Sequence, residues 1–111
     1  MLHEKKSVAI LATHGFEEIE LTSPKEAMEK EGFIVEIIAP EKESIKSWDK
    51  TNWGKDFKVD KTIDEADVEN YHGLMLPGGV INPDQLRVNE EAVDFVRAFF
   101  KRHKPVAAIC H

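Results

Sequence analysis

The sequence predicts an α/β domain built on a mostly parallel sheet. Three observations carry this. Short apolar runs rich in small and β-branched residues recur at residues 7–13, 33–39, 74–76 and 105–111, which suits strands buried on both faces of a parallel sheet. Stretches of helical patterning separate them, so strands and helices alternate. The opening strand–helix–strand unit takes about 30 residues, the span of a right-handed βαβ crossover. The last run, Pro105-Val106-Ala107-Ala108-Ile109-Cys110-His111, ends on the only cysteine in the chain and the histidine beside it. A thiol at the carboxyl end of such a strand sits where open α/β sheets place their ligands. The competing reading is a buried structural cysteine.

Taken in order, residues 7–13 form the first strand and His14-Gly15-Phe16 break it. Residues 17–31 read as a helix, with Ile19, Ala27 and Met28 apolar and Glu26–Lys30 an i,i+4 pair. Thr22 or Ser23 ahead of Pro24 marks an N-terminal cap. The helix proper is therefore expected from Pro24, with residues 17–21 a turn or a separate helical segment. Gly32 ends it as a C-terminal cap. Residues 33–39 are the second strand, stopped by Pro40. Residues 41–61 are polar and predict short exposed strands or a hairpin, with Phe57-Lys58-Val59-Asp60 alternating as a half-buried strand does. Trp48 and Trp53 in this stretch read as anchors of a loop or of an oligomer contact rather than as a binding surface. Thr62-Ile63-Asp64-Glu65 predicts a short capped turn, residues 74–76 a third strand, and Asn82-Pro83-Asp84 a helix start. Residues 89–103 predict a long amphipathic helix with Ala92, Val93, Val96, Phe99 and Phe100 on its apolar face. Lys101, Arg102 and His103 in its last turn complement the helix dipole.

Residues 1–111 are expected to make a single domain. A net charge of −6 argues against nucleic acid or an anionic membrane as partner. A lone cysteine cannot form an intrachain disulfide, which fits a reducing compartment. With no apolar run of about 18 residues and a polar start, a cytoplasmic location is expected. His3, His14, His72 and His103 are dispersed without ligand spacing, so no metal site is expected, nor any other cofactor.

Parallel strands deliver their loops to one edge of the sheet. Residues 15–20, Pro77-Gly78-Gly79 and Cys110-His111 should therefore converge. Paired glycines let backbone N–H groups approach a developing oxyanion, although a bare Gly-Gly is more often just a turn. Glu17, Glu18 and Glu20 can equally be plain charges at a helix N-terminus.

These residues carry a resemblance. Ala108-Ile109-Cys110-His111, Leu76-Pro77-Gly78-Gly79 and Phe16-Glu17-Glu18-Ile19-Glu20-Leu21-Thr22-Ser23-Pro24 resemble the motifs of the ThiJ/PfpI superfamily, in order and with similar spacing from Val8 onward. The closer likeness is to the PfpI-like branch of intracellular cysteine peptidases and general stress proteins. The resemblance implies a three-layer sandwich of the flavodoxin-like, class I glutamine amidotransferase-like type. It makes Cys110 the nucleophile and Glu20 the carboxylic acid that hydrogen-bonds the thiol. Gly79 and the backbone N–H of His111 become oxyanion donors. The His111 side chain belongs to a triad completed across a subunit interface, where Asp84 after Pro83 fits the acidic slot. A homodimer or higher homo-oligomer follows from that triad. The implied function is a cysteine-dependent stress-response hydrolase acting on small aldehydes, glycated proteins or peptides. The alternative is a redox sensor or chaperone-like protein whose Cys110 oxidises to a sulfinate held by Glu20. Family members also continue for several strands and helices beyond the nucleophile, and a nucleophile elbow needs a following helix. The sequence is therefore expected to be the N-terminal portion of a protein of about 170–190 residues.

Overall fold

A computed structural model describes residues 6–49, 51–78 and 82–108, and for residues 82–84 the backbone only. The strand β1 (Ser7–Leu11) lies at the centre of a sheet. It pairs in parallel with β3 (Ile34–Ala39) on one side and β7 (Gly73–Leu76) on the other. β6 (Lys61–Thr62) extends the sheet beyond β3, and β8 (Val106–Ala108) extends it beyond β7. The order is β6-β3-β1-β7-β8, with every pairing parallel.

Helix α1 (Glu18–Lys30) crosses from β1 to β3. The helices α2 (Asn82–Arg87) and α3 (Glu90–Lys101) lie between β7 and β8. Successive strand side chains point to opposite faces. Ala9 and Leu11 accordingly join Ile38, Tyr71, Leu74 and the α3 residues Phe95 and Phe99 on one side. Ile10 and Ala12 join Phe16, Leu21, Ile37, Ile45 and Met75 on the other. The result is the expected sandwich, a mostly parallel sheet between helical layers. No helix among the described residues is long and apolar enough to cross a membrane.

The polar stretch 41–61 forms the expected hairpin, β4 (Ser44–Asp49) and β5 (Asn52–Lys58), which pair antiparallel. β4 also pairs in parallel with the two-residue strand β2 (Phe16–Glu17), making a small second sheet. Trp48 and Trp53 face each other across the hairpin, edge to face, with ring centres 5.1 Å apart. Phe57 is the last apolar residue of β5, and the half-buried strand expected over 57–60 stops at Lys58. The capped turn at Thr62 is present: Glu65 Oε1 accepts from Thr62 N at 2.9 Å and from its hydroxyl at 2.8 Å. Gly32 ends α1 at φ +94°, a left-handed conformation that a side chain disfavours.

Three expectations need correction. The helix does not begin at Pro24; α1 starts at Glu18 and carries Pro24 inside it. Pro24 has no N–H to offer the Glu20 carbonyl. Tertiary contacts hold the turn before it instead: Leu21 is fully buried, and Glu18 and Glu20 are both engaged by other elements. On α3 the buried residues are Ala92, Phe95 and Phe99, while Phe100 is 60% exposed. Phe100 stands about 100° around the helix from Phe99 and so leaves the core face. The N-terminal cap of α3 is Asn89, whose Oδ1 accepts from Ala92 N at 3.0 Å. Finally, β8 is not buried on both faces. Val106 is half-buried, and Ala107 and Ala108 are exposed. Among the described residues β8 is the outer strand. It borders an open apolar groove of about 570 Å³ lined by Val8, Met28, Phe33, Met75, Val106 and Ala107.

Candidate active site

The loop after β1 passes through a turn at Gly15, which is buried at φ +86°. The hairpin fixes this turn. Gly15 N donates to the Lys46 carbonyl at 2.9 Å, and Lys46 N donates to His14 Nδ1 at 3.0 Å. Thr13, 2% exposed, donates its hydroxyl to the Glu41 carboxylate, whose two oxygens lie 2.9 and 3.0 Å away. Phe16 then drops into the core, where its ring meets Phe57 edge to face at 5.4 Å. This anchor sets the entry angle of α1.

The first turn of α1 meets the end of β7. Glu17 N donates to the Gly78 carbonyl at 3.0 Å, and Gly78 N donates to Glu20 Oε1 at 2.8 Å. Pro77 and Gly78 are buried, and Glu20 is only 9% exposed. A carboxyl oxygen that accepts a backbone N–H in so dry a place is fixed in position, because breaking the bond there leaves a buried N–H unpaired. Two of the three converging segments are thus joined: residues 15–20 and Pro77-Gly78. β8, which leads to the third in the sequence, runs parallel to β7 with Ala108 opposite Leu76. Gly79, Cys110 and His111 lie outside the described residues. For Asp84 only the backbone is described, within α2.

Glu18 has a use that the sequence reading missed. Its Oε1 accepts from the Ser47 hydroxyl at 2.8 Å and from Lys55 N at 3.2 Å. The Ser47 bond and then the Lys55 N–H hold this carboxyl below its ordinary range. The partners are 29 and 37 residues away in sequence, and no local pattern announces them. Gly54 offers a retrospective signal: a glycine inside a strand marks a close approach by another group.

The model of the DJ-1/PfpI family matches residues 6–111 of the chain. Among curated relatives, YraA of Bacillus subtilis, provisionally named a cysteine protease, is 40% identical over 106 residues, covering 96% of this chain and 60% of YraA. The deglycase PfpI of Pyrococcus furiosus is 38% identical over 104 residues, covering 94% of this chain and 60% of PfpI. The chain thus spans about three-fifths of the length of these relatives. Among solved structures, a two-domain protein of Anabaena variabilis with DJ-1/ThiJ/PfpI-like and ferritin-like domains superposes with a TM-score of 0.86 at 32% identity, over 96% of this chain and 30% of that one. With its parallel sheet, its buried Glu20 and its motifs in the expected order, the chain belongs to the DJ-1/PfpI family.

Proposed function

We propose that the chain carries the thiol centre of a PfpI-type stress-response hydrolase acting on aldehydes, glycated proteins or peptides. The observation that supports this best is the buried Glu20 carboxylate held by Gly78 N. It stands at the edge of the sheet toward which β8 runs. Ala108, the last described residue of β8, lies opposite Leu76, and Cys110 follows it by two residues in the sequence.

In this reading Glu20 is the acid that hydrogen-bonds the Cys110 thiol and favours its reactive thiolate. The thiolate adds to a carbonyl carbon, and backbone N–H groups of Gly79 and His111 receive the oxyanion. With methylglyoxal the hemithioacetal so formed passes its aldehyde hydrogen to the neighbouring ketone carbon, which is reduced while the aldehyde carbon becomes a thioester; water then breaks the C–S bond, releasing lactate and the free thiol. For peptide substrates His111 acts as the base, oriented by Asp84 of a neighbouring subunit in a homodimer or larger homo-oligomer.

Methylglyoxal turnover, casein cleavage and peroxide uptake measured side by side test the reading. Catalytic turnover of either substrate that is lost in Cys110→Ala supports it. Stoichiometric peroxide uptake without turnover refutes it in favour of a redox sensor. A monomeric mass by light scattering at micromolar concentration refutes the role of Asp84.

A further inference from the structure

We propose that Glu18 is a positioning residue: it clamps the β4–β5 hairpin to the first turn of α1 and thereby sets the place of Glu20. A single oxygen, Glu18 Oε1, accepts from both strands of the hairpin, from Ser47 on β4 at 2.8 Å and from Lys55 N on β5 at 3.2 Å. Ser47 is fully buried, and its hydroxyl also lies 3.0 Å from the Lys55 carbonyl. The contact is therefore built into the hairpin and is not a surface accident. Gly54 is shaped to it. A Cβ at Gly54 would stand 2.6 Å from Glu18 Oε1 and 2.6 Å from Ser47 Oγ, too close for either to stay.

Glu18 and Glu20 are two residues apart on one helical turn, so their side chains leave α1 in well-separated directions. Glu18 reaches the hairpin, while Glu20 reaches Gly78. The turn is gripped from both sides. It is also tied through its approach, since Phe16 and Glu17 pair with Ser47 and Trp48. Pro24 removes one helical N–H just downstream, so these outside contacts carry more of the burden of holding the turn. If the hairpin side releases, the turn can shift, and the Glu20–Gly78 bond loosens with it.

The structural part of this inference stands without a reactive thiol; its chemical part rests on the proposed role of Cys110. The experiment keeps the two apart. Glu18→Gln, Glu18→Ala and Gly54→Ala are made in the protein as its gene encodes it. Exchange of the Gly78 amide, read by NMR, reports the Glu20–Gly78 bond directly. The two tryptophans of the sequence form the edge-to-face pair on the hairpin, so their coupled circular dichroism reports its geometry. Alkylation of Cys110 by iodoacetamide near pH 6 reports the thiol.

Glu18→Ala and Gly54→Ala should each weaken the tryptophan couplet and speed Gly78 exchange about tenfold. They should also slow alkylation about tenfold, as a modest loss of thiolate does. Glu18→Gln keeps an oxygen acceptor for both bonds and should stay within about twofold of wild type in each readout. The double variant should be no worse than either single change, because both open one clamp. Unchanged Gly78 exchange in Gly54→Ala overturns the proposal, even if Glu18→Ala fails to fold. Equal damage from Glu18→Gln and Glu18→Ala also overturns it. If Glu20→Gln leaves alkylation untouched, the thiol-centre reading fails instead, and Gly78 exchange alone decides the role of Glu18.

Discussion

Replacing Glu20 separates shape from hydrogen bonding at the heart of the site. Glu20→Ala removes the acceptor of the Gly78 N–H at 2.8 Å, where Glu20 is 9% exposed and Gly78 is buried. An amide left unpaired in such a place costs about 1–3 kcal/mol. Losing a buried methylene adds about 0.8 kcal/mol, so the total is roughly 2–4 kcal/mol. Glu20→Gln keeps the outline of the side chain and an oxygen acceptor for the Gly78 N–H, and should cost no more than about 1 kcal/mol. In urea, with a slope of about 2 kcal/mol per molar, the alanine midpoint should fall by about 1–2 M and the glutamine midpoint by no more than about 0.5 M, with the slope unchanged. Equal midpoints for the two variants would show that the Gly78 bond does not stabilise the fold. A midpoint above wild type would show that desolvating the carboxylate outweighs its bond, and the magnitude reasoning would be wrong.

Other consequences follow from single residues. Phe99, fully buried and edge to face with Phe95 at 5.2 Å, should cost about 3–5 kcal/mol as Phe99→Ala. The exposed neighbour should cost under about 0.5 kcal/mol as Phe100→Ala, and similar losses from both would contradict the helix phase. Gly32→Ala should cost about 1 kcal/mol through strain at φ +94° alone, since nothing lies within 4 Å of the new Cβ. An unchanged melting temperature would count against the left-handed cap. The Thr62 hydroxyl holds the Asp64 carboxyl below its ordinary range, and the Thr62 N–H and then its hydroxyl do the same for Glu65. Lowered native values mean stabilisation that is complete above about pH 5, beyond the ordinary carboxylate range, and lost as the pH falls through them. The gap in melting temperature between wild type and Thr62→Val should therefore narrow between pH 7 and about pH 3; a constant gap would refute this coupling.

Much of the fold was legible because each strand is a short, locally coded object. The runs that became β1, β3 and β7 are nearly continuous apolar segments closed by Gly or Pro, and only a parallel sheet between helices buries such runs. Gly32 was legible at a helix end for the same local reason, whereas Asn89, read as the first helical residue, is the cap that precedes α3. Pro24 misled because its local rule, that proline opens helices, lost to Leu21 in the core and to two engaged glutamates. The site was legible in part. Glu20 stood out within a motif, but Glu18 looked like one more acid at a helix start. Its meaning lies in Ser47 and Lys55, on a hairpin whose position only the folded chain reveals.

The bond from Gly78 to Glu20 closes a loop of 58 residues. By contrast, only β2 and α1 separate β1 from β3, so their pairing encloses a far shorter loop. Closing longer loops costs more entropy, and contacts of high sequence separation form late and slowly. The crossover unit can therefore assemble early, whereas the corner that holds Glu20 must wait for β7 to reach β1. A nascent or damaged chain can hold much of its secondary structure and still lack this corner. Integrity of the site is in that sense a late checkpoint of folding, and Gly78 is the residue whose arrival marks it.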